Sequence, residues 1–395
     1  MNRSGQFTRG KVQSLSPSHG RVLECRPSAR NAGFDALRAS LTLLVVMHHA
    51  AITYGAIGGW FYREVPTDRS LSSTLLVYFC TVNQAFFMGL FFLLAGYLTP
   101  GAMERRGTYR YLLDRLKRLG LPLLFFGWVL GPVTIAIAQT SRGHPFTETL
   151  VQLLRVGTFE NGPLWFAQAL LVFAFAAALV MRLWPRGQMQ RVQEVGPHPW
   201  PSNSTLAGAA LATGIGALAL RVFWPVGVNV WGLQLGYFAS YVVLFAFGCL
   251  AARHQWLERL SADQVRIWWR VAIFMLPTLP IVYFLGRAVP LLREPALGYV
   301  YALWEPLVAW GVILKLLFEF QRRFTVLKGL WKSLARRAYT IYIIHPPVLV
   351  AVALAWRDVS ANALVKFAAT GAVSCALCFC IAGWLLRLPT LRKIL

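Results

Sequence analysis

Ten stretches of about twenty residues each carry apolar side chains on every helical face, with polar residues collected in the segments between them. They run near 35–57, 72–98, 119–139, 163–184, 205–224, 232–252, 268–288, 298–320, 338–356 and 363–386. A helix rises 1.5 Å per residue, so crossing a hydrocarbon core of roughly 30 Å takes about 20 residues. The fifth stretch is rich in Gly and Ala, and the seventh is interrupted by Pro277 and Pro280. Membrane helices tolerate such prolines when neighbours satisfy the freed carbonyls. The pattern predicts an all-α fold, a polytopic transmembrane helix bundle of about ten spans.

The cations test that map independently. With residue 1 placed in the cytoplasm, 30 of the 39 Lys and Arg residues fall in the cytoplasmic segments. The opposite side holds nine: Arg63, Arg69, Arg142, Arg155, Arg221, Arg287, Arg293, Arg357 and Lys366. Positive charge is retained on the cytoplasmic side, so both termini are expected there, and moving one span would scramble the asymmetry. A net charge of +24 would point to nucleic acid in a soluble protein. Here the charge sits between apolar runs and points to anionic headgroups and topology instead, so the expected partner is the lipid bilayer and not nucleic acid.

Composition agrees. Apolar residues make up 57% of the chain and charged ones 14%, where a soluble domain of this size needs about a quarter charged to cover its surface. Residues 1–33 are polar, rich in Arg and Ser, and lack the apolar core of a secretory signal. They read as a disordered basic cytoplasmic tail ahead of one membrane domain over 34–390. The Pro-rich stretch from Gly196 to Pro201 reads as a cytoplasmic linker, not a domain boundary. Of the six cysteines, Cys375, Cys378 and Cys380 cluster in the last span without nearby His or acid, a poor zinc set. No metal site, permanently bound cofactor or disulfide framework is expected.

Ionisable groups inside a bilayer are costly and mark function by default. Arg38 and His49 stand eleven residues apart in the first span, three turns plus about 20°, so they share a face about 16 Å apart along the axis. His48 points about 80° to the other side of Arg38. The arrangement describes a cation at the cytoplasmic mouth and an imidazole deeper in, and imidazole exchanges protons near neutrality. Glu305 in the eighth span is placed at a depth similar to His49, where it would orient the imidazole, or else pair with Arg287 or Arg293. His345, followed by Pro346, is placed nearer the cytoplasmic side, contacting a donor or capping carbonyls that the proline frees. Asn83 is a candidate substrate or interhelical contact. Trp165 is an interfacial aromatic or a sugar-stacking platform. Arg115 and Arg118, three apart, are candidates for gripping a polyphosphate.

These residues sit in motifs that resemble the acyltransferase-3 family of membrane acyltransferases, over about 34–390. Phe34-Asp35-Ala36-Leu37-Arg38 followed by His49 is similar to the family's Arg-x10-His signature. Phe91 to Tyr97, Arg115 to Leu119 with Pro122, Gly162 to Phe166, and Ala338 to Pro346 follow in the family's order. The resemblance implies a stand-alone ten-helix enzyme that takes an acyl group, usually acetyl with succinyl as the alternative, from cytoplasmic acyl-CoA. The acceptor would be a hydroxyl of a carbohydrate or lipid-linked molecule on the far side of a bacterial inner membrane. On that reading Arg38, Arg115 and Arg118 hold the donor's phosphates, with His345, Trp165 and Asn83 as further substrate contacts. His49 would act as general base or acyl carrier with Glu305 behind it. The rival class is a transporter or flippase of a sugar-containing substrate, since buried His and Glu also serve proton relays.

Overall fold

The computed structural model describes residues 31–183, 198–289 and 296–394. Residues 1–30 of the expected 1–33 tail, Gly196 and Pro197 of the linker, and Arg293 lie outside the described residues, as does the side chain of Arg287. Ten helical segments are long and apolar enough to cross a membrane. In chain order the helices are α1 (Ala32–Thr53), α2 (Leu71–Arg106), α3 (Thr108–Arg142), α4 (Phe146–Val156), α5 (Trp165–Leu183), α6 (Asn203–Phe223) and α7 (Phe238–His254). Then come α8 (Ala262–Met275) and α9 (Thr278–Ala288), which together form one span, and α10 (Ala296–Arg323), α11 (Gly329–Ala355), α12 (Ala363–Leu385) and the short α13 (Pro389–Ile394). An even number of spans returns the chain to the end of the bundle where it began, called the basic end below.

Local sequence explains the boundaries. The side chains of Asn31, Ser70, Ser202 and Asn362 accept from backbone N–H groups in the first turns of α1, α2, α6 and α12, which is what an N-cap residue does. α1 stops at Thr53, four residues short of the expected end, because the segment beyond it folds back. Glu64 N and Val65 N both donate to Thr53 O, at 2.9 and 3.2 Å. α4 is an amphipathic surface helix that the span pattern did not predict.

Prolines break the helices where hydroxyls wait for the freed carbonyls. A proline cannot donate to the carbonyl four residues back. Pro280 thereby frees Leu276 O, which accepts from the Tyr78 hydroxyl at 2.9 Å. Pro122 frees Arg118 O, which accepts from Tyr339 at 2.7 Å. Around Pro122, α3 widens into π turns at Leu116–Gly120 and Phe126–Leu130. The first of these turns separates Arg115 from Arg118. Arg115 is half-buried and its guanidinium lies 5.0 Å over the Tyr111 ring, whereas Arg118 is exposed. The shared face expected from their spacing is lost.

α1 is the central helix, packed against α2, α10, α11 and α12. α2 and α7 cross so closely that a Cβ on Gly96 would come within 2.1 Å of Phe245 O, and one on Gly248 within 2.2 Å of Leu93 O. Small residues permit such approaches in membrane bundles.

Candidate active site

The site forms where α1, α11 and the α1–α2 segment meet. His49 lies four residues from the end of α1, about 6 Å along its axis, and so is nearer the far end of the bundle than its spacing from a longer first span implied. His345, expected toward the basic end, faces it from α11. His345 Nε2 and His49 Nδ1 are 3.1 Å apart and the rings stack at 5.1 Å.

The hydrogen bonds fix the tautomers. Pro346 frees the carbonyl of Tyr342, and His345 Nδ1 lies 2.6 Å from that oxygen. A carbonyl only accepts, so Nδ1 of His345 carries the proton. Nε2 of neutral His345 is then an acceptor, and His49 donates to it through Nδ1–H. That leaves the Nε2 lone pair of His49 available. The Tyr342 hydroxyl donates to Pro163 O, tying the pair to the Gly162-Pro163-Leu164 turn ahead of α5.

Trp60, which the sequence reading passed over, stacks on His49 with ring centroids 4.1 Å apart and planes 17° apart, and its centroid lies 5.9 Å from that of His345 with the two ring planes nearly parallel. Its segment is stapled in place. Ser73 Oγ donates to Gly55 O at 2.7 Å, Thr67 Oγ1 to Ala56 O at 3.2 Å, and Lys366 pairs with Glu64. Phe61 abuts Gly162, where a Cβ would come within 2.9 Å of the Phe61 ring. Lys366, counted among the far-side cations, has its side chain buried near the start of α12.

Glu305 is elsewhere engaged. Its carboxylate takes an ion pair from Arg221 at 2.5 Å and a hydrogen bond from Ser240 at 3.3 Å. It sits nine residues, about 14 Å, into α10. Among the described residues its ion pair is with Arg221, and the side chain hydrogen-bonded to His49 Nδ1 is His345. Arg221, likewise counted among the far-side cations, is the third-last residue of α6. Its Nε donates to Gly236 O at 3.1 Å, and its guanidinium lies 5.4 and 5.0 Å from the Tyr237 and Tyr301 rings.

The other candidates are dispersed. His48 is buried against Phe87 on α2, one turn from the buried Asn83, whose Nδ2 has no hydrogen-bond partner among the described residues. Trp165 stacks on Tyr241 at 5.8 Å and reaches the site only through Phe166, which contacts Tyr342. Arg38 is exposed near the start of α1, 3.9 Å from Asp35. A cleft of about 400 Å³ at the basic end is lined by Arg105, Arg106, Arg110, Leu113, Asp114 and Lys117. Arg115 lines a narrower crevice beside it with Thr99 and Tyr111.

A hydrogen-bonded imidazole pair with one free lone pair can remove a hydroxyl proton or attack a carbonyl carbon. Residues 31–383 match the Acyltransferase domain of the acyltransferase-3 family. No curated protein and no solved structure matches the chain. The order of motifs from Arg38 to Pro346 and the domain match therefore agree, and the chain belongs to the acyltransferase-3 family as an integral membrane O-acyltransferase.

Proposed function

We propose that this enzyme moves an acyl group, acetyl or alternatively succinyl, from cytoplasmic acyl-CoA to a hydroxyl of a carbohydrate or lipid-linked acceptor at the far side of a bacterial inner membrane. The observation that carries the reading is the His49–His345 pair, with its proton placed by the carbonyl that Pro346 frees. His49 Nε2 takes the acceptor's proton as the oxygen attacks the thioester carbonyl carbon, and Nδ1–H of the resulting imidazolium donates to His345. The proton then passes to the departing thiolate.

The 30-to-9 division of cations supports an orientation with both termini cytoplasmic. Acyl-CoA is polyanionic, so its phosphates stay at the basic end, where Arg110 and Lys117 in the cleft, Arg115 in the narrower crevice and Arg38 near the start of α1 offer charge-assisted hydrogen bonds. The pantetheine arm then follows α1 from Arg38 to His49, about 16 Å by helical rise. Glu305 serves this scheme indirectly, by holding Arg221 and through it the segment that carries Gly236.

The test is His49→Ala in proteoliposomes supplied with labelled acyl-CoA. Transfer is expected to fall by at least about 10²-fold, the usual contribution of a general base, with the protein still inserted and folded. Undiminished transfer would exclude the mechanism.

A further inference from the structure

Buried donors without partners are costly, and the described residues contain several. The indole N–H of Trp60 is one, and that of Trp200 is another. The indoles of Trp256, Trp268, Trp304 and Trp356 all donate to oxygen acceptors. Being unpartnered therefore does not distinguish Trp60 by itself. Its position does. Trp200 packs against Phe247 and Trp256, away from the imidazole pair, whereas Trp60 lies flat on His49.

We propose that the indole N–H of Trp60 is the oxyanion donor of the acyl-transfer step, an inference that rests on the reading of His49 as the base. A group hydrogen-bonded to His49 Nε2 lies in the plane of the imidazole. The indole plane runs nearly parallel to it, with ring centroids only 4.1 Å apart, so an oxygen raised out of the imidazole plane on that side approaches the level of the indole, whose N–H points outward in the indole's own plane. The acceptor O–H bond breaks and its proton goes to Nε2. The acceptor oxygen forms the new bond to the thioester carbon, and the C=O π pair moves onto the carbonyl oxygen. That oxygen now bears the charge and accepts from Trp60 Nε1–H. Re-forming the C=O bond expels the thiolate, which takes the proton back from His49.

Two features suit Trp60 to this role. The first is rigidity, because a donor that must not reorganise as charge develops has to be held beforehand. The segment from Thr53 to Ser73 is fixed by the paired N–H groups on Thr53 O, by the Ser73 and Thr67 hydroxyls, and by the buried Glu64–Lys366 pair. The second is the unused hydrogen-bonding capacity. A phenyl ring would stack on His49 equally well with no unsatisfied donor, so the indole is retained at a cost that stacking does not explain.

The deciding variant is Trp60→Phe, which keeps an aromatic ring over His49 and removes the N–H. Transfer from labelled acyl-CoA is measured in proteoliposomes with the wild type alongside. We expect kcat to fall about 10²-fold, the usual effect of deleting one oxyanion donor, with KM for acyl-CoA and the pH profile unchanged. An unchanged kcat, or a loss confined to KM, overturns the assignment. Should Trp60→Phe fold poorly, the benzothienyl-alanine analogue, in which sulfur replaces the N–H, gives the same comparison at indole size. A wild type that transfers no label refutes the underlying base mechanism instead, so the two failures are distinct.

Discussion

Alanine at position 345 tests the imidazole pair most directly. In the resting enzyme the 3.1 Å contact joins two neutral rings, and a neutral hydrogen bond contributes about 0.5–1.5 kcal/mol. Once His49 has taken the acceptor's proton, the same contact has a charged donor and is worth roughly 1.5–3 kcal/mol. Only the difference, about 1–2 kcal/mol, lowers the barrier, because stabilisation common to both states cancels. At 1.36 kcal/mol per decade that is about a 5- to 30-fold effect. Loss of tautomer selection at His49 adds to it, giving an expected fall in kcat of about 10- to 100-fold for His345→Ala. This is milder than removal of the base itself, and KM for acyl-CoA should not move, since His345 lies far from the basic end. His345→Gln supplies a carbonyl oxygen that can accept from His49 Nδ1–H, and should recover most of the loss. The assay is steady-state transfer of labelled acyl groups in proteoliposomes. A wild-type kcat in His345→Ala, or a Gln variant no better than Ala while both remain folded, would show that the two rings merely pack.

Two further outcomes follow from the ion pair and the cleft. Glu305→Ala leaves the buried guanidinium of Arg221 uncompensated, which typically costs about 3–5 kcal/mol, so the melting temperature of the detergent-solubilised protein should drop sharply. The double variant Glu305→Met with Arg221→Met should regain stability and retain transfer, whereas a dead double variant would return Glu305 to the chemistry. At the basic end, Arg110→Ala and Lys117→Ala should each raise KM for acyl-CoA about 5-fold at unchanged kcat, since an exposed charge pair contributes up to about 1 kcal/mol. The effect should shrink with added salt and disappear for dephospho-CoA if these side chains hold the 3′-phosphate, and an equal effect on both donors would place that phosphate elsewhere.

The spans were legible because a membrane helix announces itself through length and uniform apolarity, and ten were both expected and found. The helix ends were less so. α1 is shortened by backbone donors at Glu64 and Val65, well downstream of Thr53, and no periodicity within 35–57 reports those. The Arg115–Arg118 face followed from α-helical spacing and was lost to a π turn seeded near Pro122. His49 was visible as an ionisable residue in an apolar run. His345 was visible too, and the reading that it caps a carbonyl freed by Pro346 matches the contact with Tyr342 O. That α11 presents it to α1 depends on tertiary packing, which spacing along one helix does not report. Trp60 carried no signal, since one tryptophan in a Gly-rich connector resembles any interfacial aromatic. Arg221 and Lys366 were legible only as far-side cations. Each sits within one turn of a helix end, and a count of charges by side does not report that both turn inward to acids at Glu305 and Glu64.

The composition of the pair follows from its surroundings. A hydroxyl acceptor needs a base with a free lone pair, and that base needs a partner to hold its other nitrogen. A carboxylate would do this more strongly in water, but an ionised carboxylate within the bilayer must itself be compensated, and its desolvation can exceed what the pairing returns. In this bundle the intramembrane acid is already matched to a guanidinium and a serine. A second imidazole, neutral at rest, avoids that desolvation and takes its orientation from the Tyr342 carbonyl, which Pro346 keeps out of the helical ladder. In the proposed mechanism charge then arises at His49 only while the proton is in transit. The same economy applies to the opposite charge on the thioester oxygen, for which an indole N–H is a neutral donor held ready against the ring that carries the proton. A site assembled from neutral groups that become charged together, at adjacent positions and of opposite sign, keeps its net charge at zero through the reaction, and that is the condition under which acyl transfer near the edge of a bilayer is least opposed by the medium.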